Sequence, residues 1–332
     1  MEKRTAVVTG GAGFIGSFVC EKLLKDGLRV ICIDNFSTGH VRNIDAMLRN
    51  PDFQFLKLDI NTPFDLESFS ELEPFKVKFL GVQEVYHLAV PTVVNKFSEY
   101  RMQTLLANSV GTRNVLDMAT KYKAKVVFGS AAVVYGGRRG DKEIFAEGDV
   151  GAFDHLNPRG CYNEGKRFAE TMCATYADVN GIDVKIARIF RTYGPRMPLH
   201  HGHQIPDFIL HALDGKDIVI NGDEKAMTAL VYVSDVVDGL VRLMHAEKGT
   251  TPVNLGSDVE IPMQAIAEQV IAMTGSAVHV TFAEPPPYLL ALGLPSLTKV
   301  RESLGWMPLV RLEDGLKKTV EYIRANKALL TQ

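Results

Sequence analysis

The sequence predicts an α/β fold: a doubly wound parallel sheet with a smaller C-terminal α/β substrate domain. Three observations predict it. A short apolar run, Ala6 to Val8, leads into Gly10, Gly11, Gly13 and Gly16 and then into apolar residues at helical spacing. A second apolar run, Leu28 to Ile33, ends in an acid, Asp34. Short apolar runs then alternate with helical patterns up to residue 190. That alternation builds a parallel sheet whose ligands sit at the carboxyl ends of the strands.

The opening strand, turn and helix form the context in which such glycines carry meaning. Gly10 permits the tight turn. Gly13 has no side chain to hold a pyrophosphate away from the backbone. Gly16 lets the helix lie close to the strand. The helix begins at Phe14 and Ile15, and its free N–H groups face the diphosphate. Asp34 lies 18 residues beyond Gly16, where an acid accepts hydrogen bonds from the adenosine ribose hydroxyls. It repels a 2′-phosphate, and Asn35 and Phe36 follow with no arginine beside them. The pattern reads as a Rossmann domain for NAD rather than NADP.

Composition narrows the alternatives. The chain has 332 residues, 46% hydrophobic and 23% charged, as in a globular protein with one large or two coupled domains. A net charge of −2 gives no nucleic-acid surface. No apolar run approaches the ~20 residues of a membrane span. Met1 to Arg4 leads directly into a strand, leaving no room for a signal peptide. Cys20, Cys32, Cys161 and Cys173 lack CxxC spacing and read as reduced thiols, so a cytoplasmic location is expected.

The remaining elements follow in order. Phe53 to Leu58 is a strand ending at Asp59 and Ile60, where an acid meets the adenine amino group. Glu84 to Ala89 is the fourth strand, Tyr100 to Tyr122 a long helix, and Lys125 to Ser130 the fifth strand. Gly160 to Asn180 is a second long helix closed by Gly181 as a C-cap. Val184 to Phe190 is the sixth strand. Residues 1–190 therefore form the dinucleotide domain, with 218–245 expected to return to it. Residues 191–217 and 246–332 form the substrate domain. His200, His201 and His203 read as a polar loop rather than a metal tract, since no cysteine or acid stands at ligand spacing. No metal is expected.

Tyr162 and Lys166 stand four apart on the second long helix, on one face and one turn apart. An ammonium beside a phenol favours the phenolate. The pair can move a proton off or onto a substrate hydroxyl while hydride moves to nicotinamide.

With these residues in view, the chain resembles the extended short-chain dehydrogenase/reductases of the nucleotide-sugar epimerase and dehydratase group. It is most similar to their UDP-glucuronate decarboxylase branch. The resemblance spans nearly the whole chain. It rests on Val8-Thr-Gly-Gly-Ala-Gly-Phe-Ile-Gly16, Asp34-Asn-Phe-Ser-Thr-Gly39, His87-Leu-Ala89, Asn157-Pro158 and Cys161-Tyr-Asn-Glu-Gly-Lys-Arg167. It continues in Ala187-Arg-Ile-Phe190, Tyr193-Gly-Pro-Arg-Met197, Tyr232-Val-Ser-Asp235, Pro252-Val-Asn-Leu-Gly256 and Leu304-Gly-Trp306. It implies tightly held NAD contacted also by Ser37, Thr38, Gly39, Leu88, Ala89, Val90 and Asn108. It implies transient oxidation at a sugar carbon, and a homodimer through the two long helices.

The departures from that pattern are specific. The Ser or Thr expected four residues before Tyr135 is Ala131, with Ser130 its neighbour on the other face of an extended strand. Ser130 is at most a catalytic helper. The Glu expected in the decarboxylases is Val133, and both changes weigh against decarboxylation. In the substrate half, Arg191 stands for an expected Asn, Thr228 for an expected Arg, and no Arg precedes Pro295. Arg191 and Arg196 are expected to replace part of the lost charge. Otherwise the apolar stretch Pro285 to Leu294 covers a less anionic substrate. Two further readings follow: an enzyme of a specialised pathway with a substrate that is not a nucleotide diphosphate sugar, and a catalytically weakened NAD sensor.

Overall fold

A computed structural model describes residues 2–94, 97–138, 142–249, 251–285 and 290–330. Seven parallel strands form the central sheet: β1 (Thr5–Thr9), β2 (Arg29–Asp34), β3 (Phe53–Lys57), β4 (Glu84–His87), β5 (Lys125–Ala131), β6 (Val184–Ile189) and β7 (Val253–Leu255). Their order is β7-β6-β5-β4-β1-β2-β3. The order reverses between β1 and β4, and a ligand crevice opens at such a reversal.

Residues alternate across the strands, so both faces of the sheet bury apolar side chains. Ala6, Val8, Val30 and Cys32 face one layer, with Val19 and Leu23 of α1 (Phe14–Lys25). Val7, Ile31, Val85, Val126 and Phe128 face the other. There they meet Val115, Leu116 and Ala119 of one helix and Ala169 and Cys173 of another. The Tyr100–Tyr122 helix of the sequence is α2 (Arg101–Leu106), a π-turn over Ala107–Gly111, and α3 (Thr112–Tyr122). The next, α4 (Gly160–Asn180), has its predicted bounds, and Gly181 closes it in the left-handed conformation.

The smaller unit contains α5 (Gln204–Asp214), α7 (Met263–Thr274) and α8 (Leu312–Leu330), which pack on one another. Two boundaries differ from expectation. Val253–Leu255, expected in the substrate domain, pairs with β6 as the seventh sheet strand. Of 218–245, only α6 (Val233–His245) returns to the sheet, packing on α1. The strand Ile218–Asn221 pairs instead with Val280–Ala283 in the smaller unit. Apolar runs of this length fit either partner, and tertiary packing makes the choice. Two motifs of the resemblance meet here: Trp306 Nε1 donates to the Asp235 carbonyl, and Asp235 Oδ2 accepts from the N–H groups of Leu309 and Val310.

Candidate active site

One cavity of about 720 Å³ runs from the carboxyl ends of β1, β2 and β4 to the smaller unit. At the β1 end, Gly10 has φ 72°, and a Cβ there would lie 2.9 Å from the Ala89 backbone. A Cβ on Gly16 would lie 2.0 Å from the Gly10 carbonyl oxygen, so α1 can start here only without a side chain. Gly13 precedes the first turn of α1, and no side chain caps that turn. Gly13, Phe14, Ile15 and Gly16 all line the cavity, so the uncapped turn opens onto it. This is the fit a dinucleotide diphosphate needs.

Asp34 ends β2. Its Oδ2 accepts from Ala12 N at 3.1 Å and its Oδ1 from Phe36 N at 2.8 Å. Burial pushes the carboxyl above its usual value, and the two N–H bonds oppose that. Each oxygen keeps a lone pair for a ribose hydroxyl. Asn35, Ser37, Thr38, Asp59, Ile60, Leu88, Ala89 and Val90 line the same end. Three expected cofactor residues do not reach the cavity wall. Phe36 stacks on Phe55, with ring centroids 4.8 Å apart. Gly39 packs against the Asp34 carboxylate and Ala12, supporting the acid from behind. Asn108 is buried and donates to the Thr104 carbonyl at 2.8 Å, beneath Gly165 of α4.

Tyr162 and Lys166 line the middle of the cavity. The i, i+4 spacing does bring them to one face. Lys166 Nζ, however, donates to the Gly129 carbonyl at 2.7 Å and lies 4.7 Å from the Phe128 ring centroid. Burial lowers the Lys166 ammonium to about 7. The cation over the Tyr162 ring is Arg159, whose guanidinium carbon is 5.9 Å from the ring centroid. Burial pushes the Tyr162 phenol up, and the Arg159 charge opposes it.

Ser130 lines the cavity, but its hydroxyl proton is directed away from Tyr162. Its hydroxyl donates to Glu170 Oε1 at 2.5 Å. The same carboxylate takes Arg188 Nε at 3.0 Å and Nη2 at 2.8 Å. Arg188 goes on to Tyr135 Oη at 2.9 Å, and Tyr135 to Asn254 Oδ1 at 2.7 Å. Ser130 is thus part of a half-buried network that ties α4 to β5, β6 and β7. Ala131 and Val133 line the cavity with apolar side chains.

The far end of the cavity is cationic. Arg191 Nη1 donates to Thr228 Oγ1 at 3.0 Å and Nη2 to the Leu290 carbonyl at 3.3 Å. Burial lowers the Arg191 guanidinium, and the charges of Arg159 and Arg138 add to that. Arg138 lines the wall too, paired with Glu260 and bonded to the Leu292 carbonyl. Arg196 is elsewhere: it pairs with Glu21, reaches Ser17 and stacks on Phe18, all on α1. Its expected place among the substrate residues is therefore corrected. Among the described lining residues the only acids are Asp34 and Asp59, both at the dinucleotide end.

Sequence reasoning missed Arg138, Arg159, His203 and Lys225, which all line the cavity. A signal existed for Arg159, which precedes Tyr162 by three residues and so shares its helical face. None existed for Arg138. His203 belongs to the tract read as a polar loop; burial lowers its imidazole to about 4, with His201 and Arg159 adding to the effect. Residues 286–289 of the apolar Pro285 to Leu294 stretch lie outside the described residues, while Leu290 and Leu292 line the wall.

Comparison with known proteins agrees with this geometry. The model of the NAD dependent epimerase/dehydratase family matches residues 6–256. UDP-glucuronic acid decarboxylase 1 of Xenopus tropicalis is 35% identical over 325 residues, 97% of this chain and 73% of that protein. UDP-glucuronic acid decarboxylase 5 of Arabidopsis thaliana is 34% identical over 321 residues, 96% of this chain and 89% of that one. Among solved structures, the UDP-glucose 4-epimerase of Thermotoga maritima with UDP-glucose superimposes with a TM-score of 0.84 at 28% identity, covering 97% of this chain and 99% of that one. UDP-glucuronic acid 4-epimerase from Bacillus cereus, in complex with NAD, gives 0.80 at 26% identity, with the same coverage.

Proposed function

Because the chain belongs to the NAD dependent epimerase/dehydratase family, we propose that it oxidises one secondary alcohol of a nucleotide-diphosphate sugar and acts on the activated sugar that results. One observation carries this reading. Tyr162 and Lys166 stand in the same cavity as Asp34 and the uncapped start of α1, while Arg191, which has no carboxylate partner among the described residues, waits at the other end. A buried charge without a counter-ion is costly, and a diphosphate supplies one.

The chain's residues divide the work. The start of α1 holds the dinucleotide diphosphate, Asp34 its adenosine ribose and Lys166 its nicotinamide ribose. When bound, NAD supplies the hydride acceptor. Tyr162 Oη takes the proton of the reacting sugar hydroxyl and returns it. Arg191 and Thr228 take the substrate diphosphate. A UDP-linked uronic acid is the substrate we favour, since its sugar carboxylate adds a second anionic centre to a cavity lined by Arg138, Arg159 and Arg191. Ala131 and Val133 favour a second reading of the same substrate: epimerisation or net oxidation in place of decarboxylation, because Val133 stands where the decarboxylases are expected to carry a Glu.

The protein works as a homodimer in this reading. Met102, Leu105 and Leu106 on α2 and Phe168 on the neighbouring α4 are exposed apolar side chains on packed helices. The four cysteines are free thiols, which fits the cytoplasm. No described helix is long and apolar enough to cross a membrane.

Incubation with NAD and UDP-glucuronate, followed by mass spectrometry, tests the proposal. Loss of carbon dioxide gives decarboxylation, an isomer of equal mass gives epimerisation, and accumulated NADH gives net oxidation. Absence of both UDP-sugar turnover and calorimetric UDP binding would overturn it.

A further inference from the structure

The catalytic phenol has an unusual set of neighbours. Ala131 lines the same cavity with a methyl group, and Ser130 donates its proton to Glu170. The Lys166 ammonium is directed at the Gly129 carbonyl. The charged group that lies against the Tyr162 ring is Arg159, 5.9 Å from the centroid and within cation–π range.

Arg159 is also held there by its own backbone. It is the N-cap residue of α4. Its N–H donates to Asn157 Oδ1 at 3.0 Å, and its carbonyl accepts from Tyr162 N at 3.0 Å and Asn163 N at 3.2 Å. The Asn157-Pro158 turn thus fixes the Cα that carries the guanidinium, one helical turn before the phenol.

We propose that Arg159 is the positioning cation of the catalytic phenol, stabilising the negative charge on Tyr162 Oη when that oxygen acts as base. The inference rests on the reading of Tyr162 as the acid–base. Charged and titratable groups facing this part of the cavity are few. Lys166 lies on the same helix, bound to Gly129. Arg138 and Arg191 stand at the substrate end, Lys225 also lines the cavity, the thiol of the adjacent Cys161 is pushed up by burial, and His203 at the start of α5 is neutral through burial. No described lining acid is on this side. Burial acts against the phenolate, and Arg159 is the charge that acts for it.

The test is an ultraviolet phenolate difference titration of the NAD-loaded protein, with Tyr162→Phe as reference, which isolates Tyr162 without any substrate. Arg159→Gln should move the phenolate midpoint upward by about one pH unit, a tenfold shift in the ionised fraction, and Arg159→Lys should restore most of it. Arg159→Met, of similar length and no charge, gives the same reading should the Gln variant fold poorly. NAD binding should stay within about twofold in all three. An unmoved midpoint, with only calorimetric UDP affinity reduced, makes Arg159 a substrate anchor and overturns the inference while leaving the proposed function intact. Undiminished turnover in Tyr162→Phe would instead remove the proposed function.

Discussion

Arg191 Nη1 reaches Thr228 Oγ1 at 3.0 Å, so a guanidinium arriving from the turn after β6 ends beside the position where the resemblance expects an arginine. Its second nitrogen reaches the Leu290 carbonyl, in the stretch that runs to Pro295. Arg191 thus returns one of the two expected cations to the substrate end by relocation.

That relocation predicts a rescue. Arg191→Asn should lower UDP affinity by about 10- to 100-fold, since charge-assisted bonds contribute about 1.5–3 kcal/mol each. Adding Thr228→Arg should recover at least about half of that loss in free energy. Calorimetric titration with UDP checks both, and an additive double loss would show that the two positions do not share a ligand.

Tyr162→Phe should reduce turnover at least about 10²-fold while NAD remains bound. Mass spectrometry of the released dinucleotide and steady-state rates on a UDP-sugar decide it. A variant that loses NAD as well would place Tyr162 in binding rather than in proton transfer.

Ser130→Ala should leave kcat within about twofold and lower stability by about 1–3 kcal/mol, because the hydroxyl serves Glu170 and its removal strips one donor from a half-buried carboxylate. Thermal melts beside rate measurements separate the two effects. A large loss of kcat with unchanged melting would return Ser130 to the catalytic set.

Gly16→Ala should weaken NAD binding at least about tenfold, since the added methyl group meets the Gly10 carbonyl at 2.0 Å and must displace the turn. Fluorescence titration with NADH measures it; wild-type affinity would mean that α1 can shift without cost to the site.

His87 predicts an acid-sensitive fold. Its Nδ1 lies 2.7 Å from Thr9 Oγ1 and its Nε2 3.1 Å from Thr112 Oγ1. Burial, with Lys166 adding its charge, lowers the imidazole from 6.5 to about 3. The unfolded chain takes up a proton as pH falls through 6.5 and the native chain does not, so stability is full above 6.5 and is lost as pH falls towards 3. His203, lowered to about 4, acts with the same sign. Melting temperature should therefore drop between about pH 7 and about pH 5, and drop less in His87→Gln. An equally steep fall in the variant would assign the acid sensitivity to other groups.

The sequence by itself determined the parts of this protein whose geometry is local. Strand, glycine turn, helix and terminal acid lie within the first 34 residues, and both periodicities act over a few residues. That is why Gly10, Gly16 and Asp34 could be read directly, as could the shared face of Tyr162 and Lys166. The tertiary structure decided what depends on long side chains and distant partners. Arg191 reaches a strand 37 residues away, whereas Arg196 turns to Glu21 on α1. Ser130 finds Glu170, and Val253–Leu255 joins the sheet beside β6. A guanidinium on a flexible stem goes wherever packing leaves an acceptor, and only the assembled fold fixes where that acceptor is.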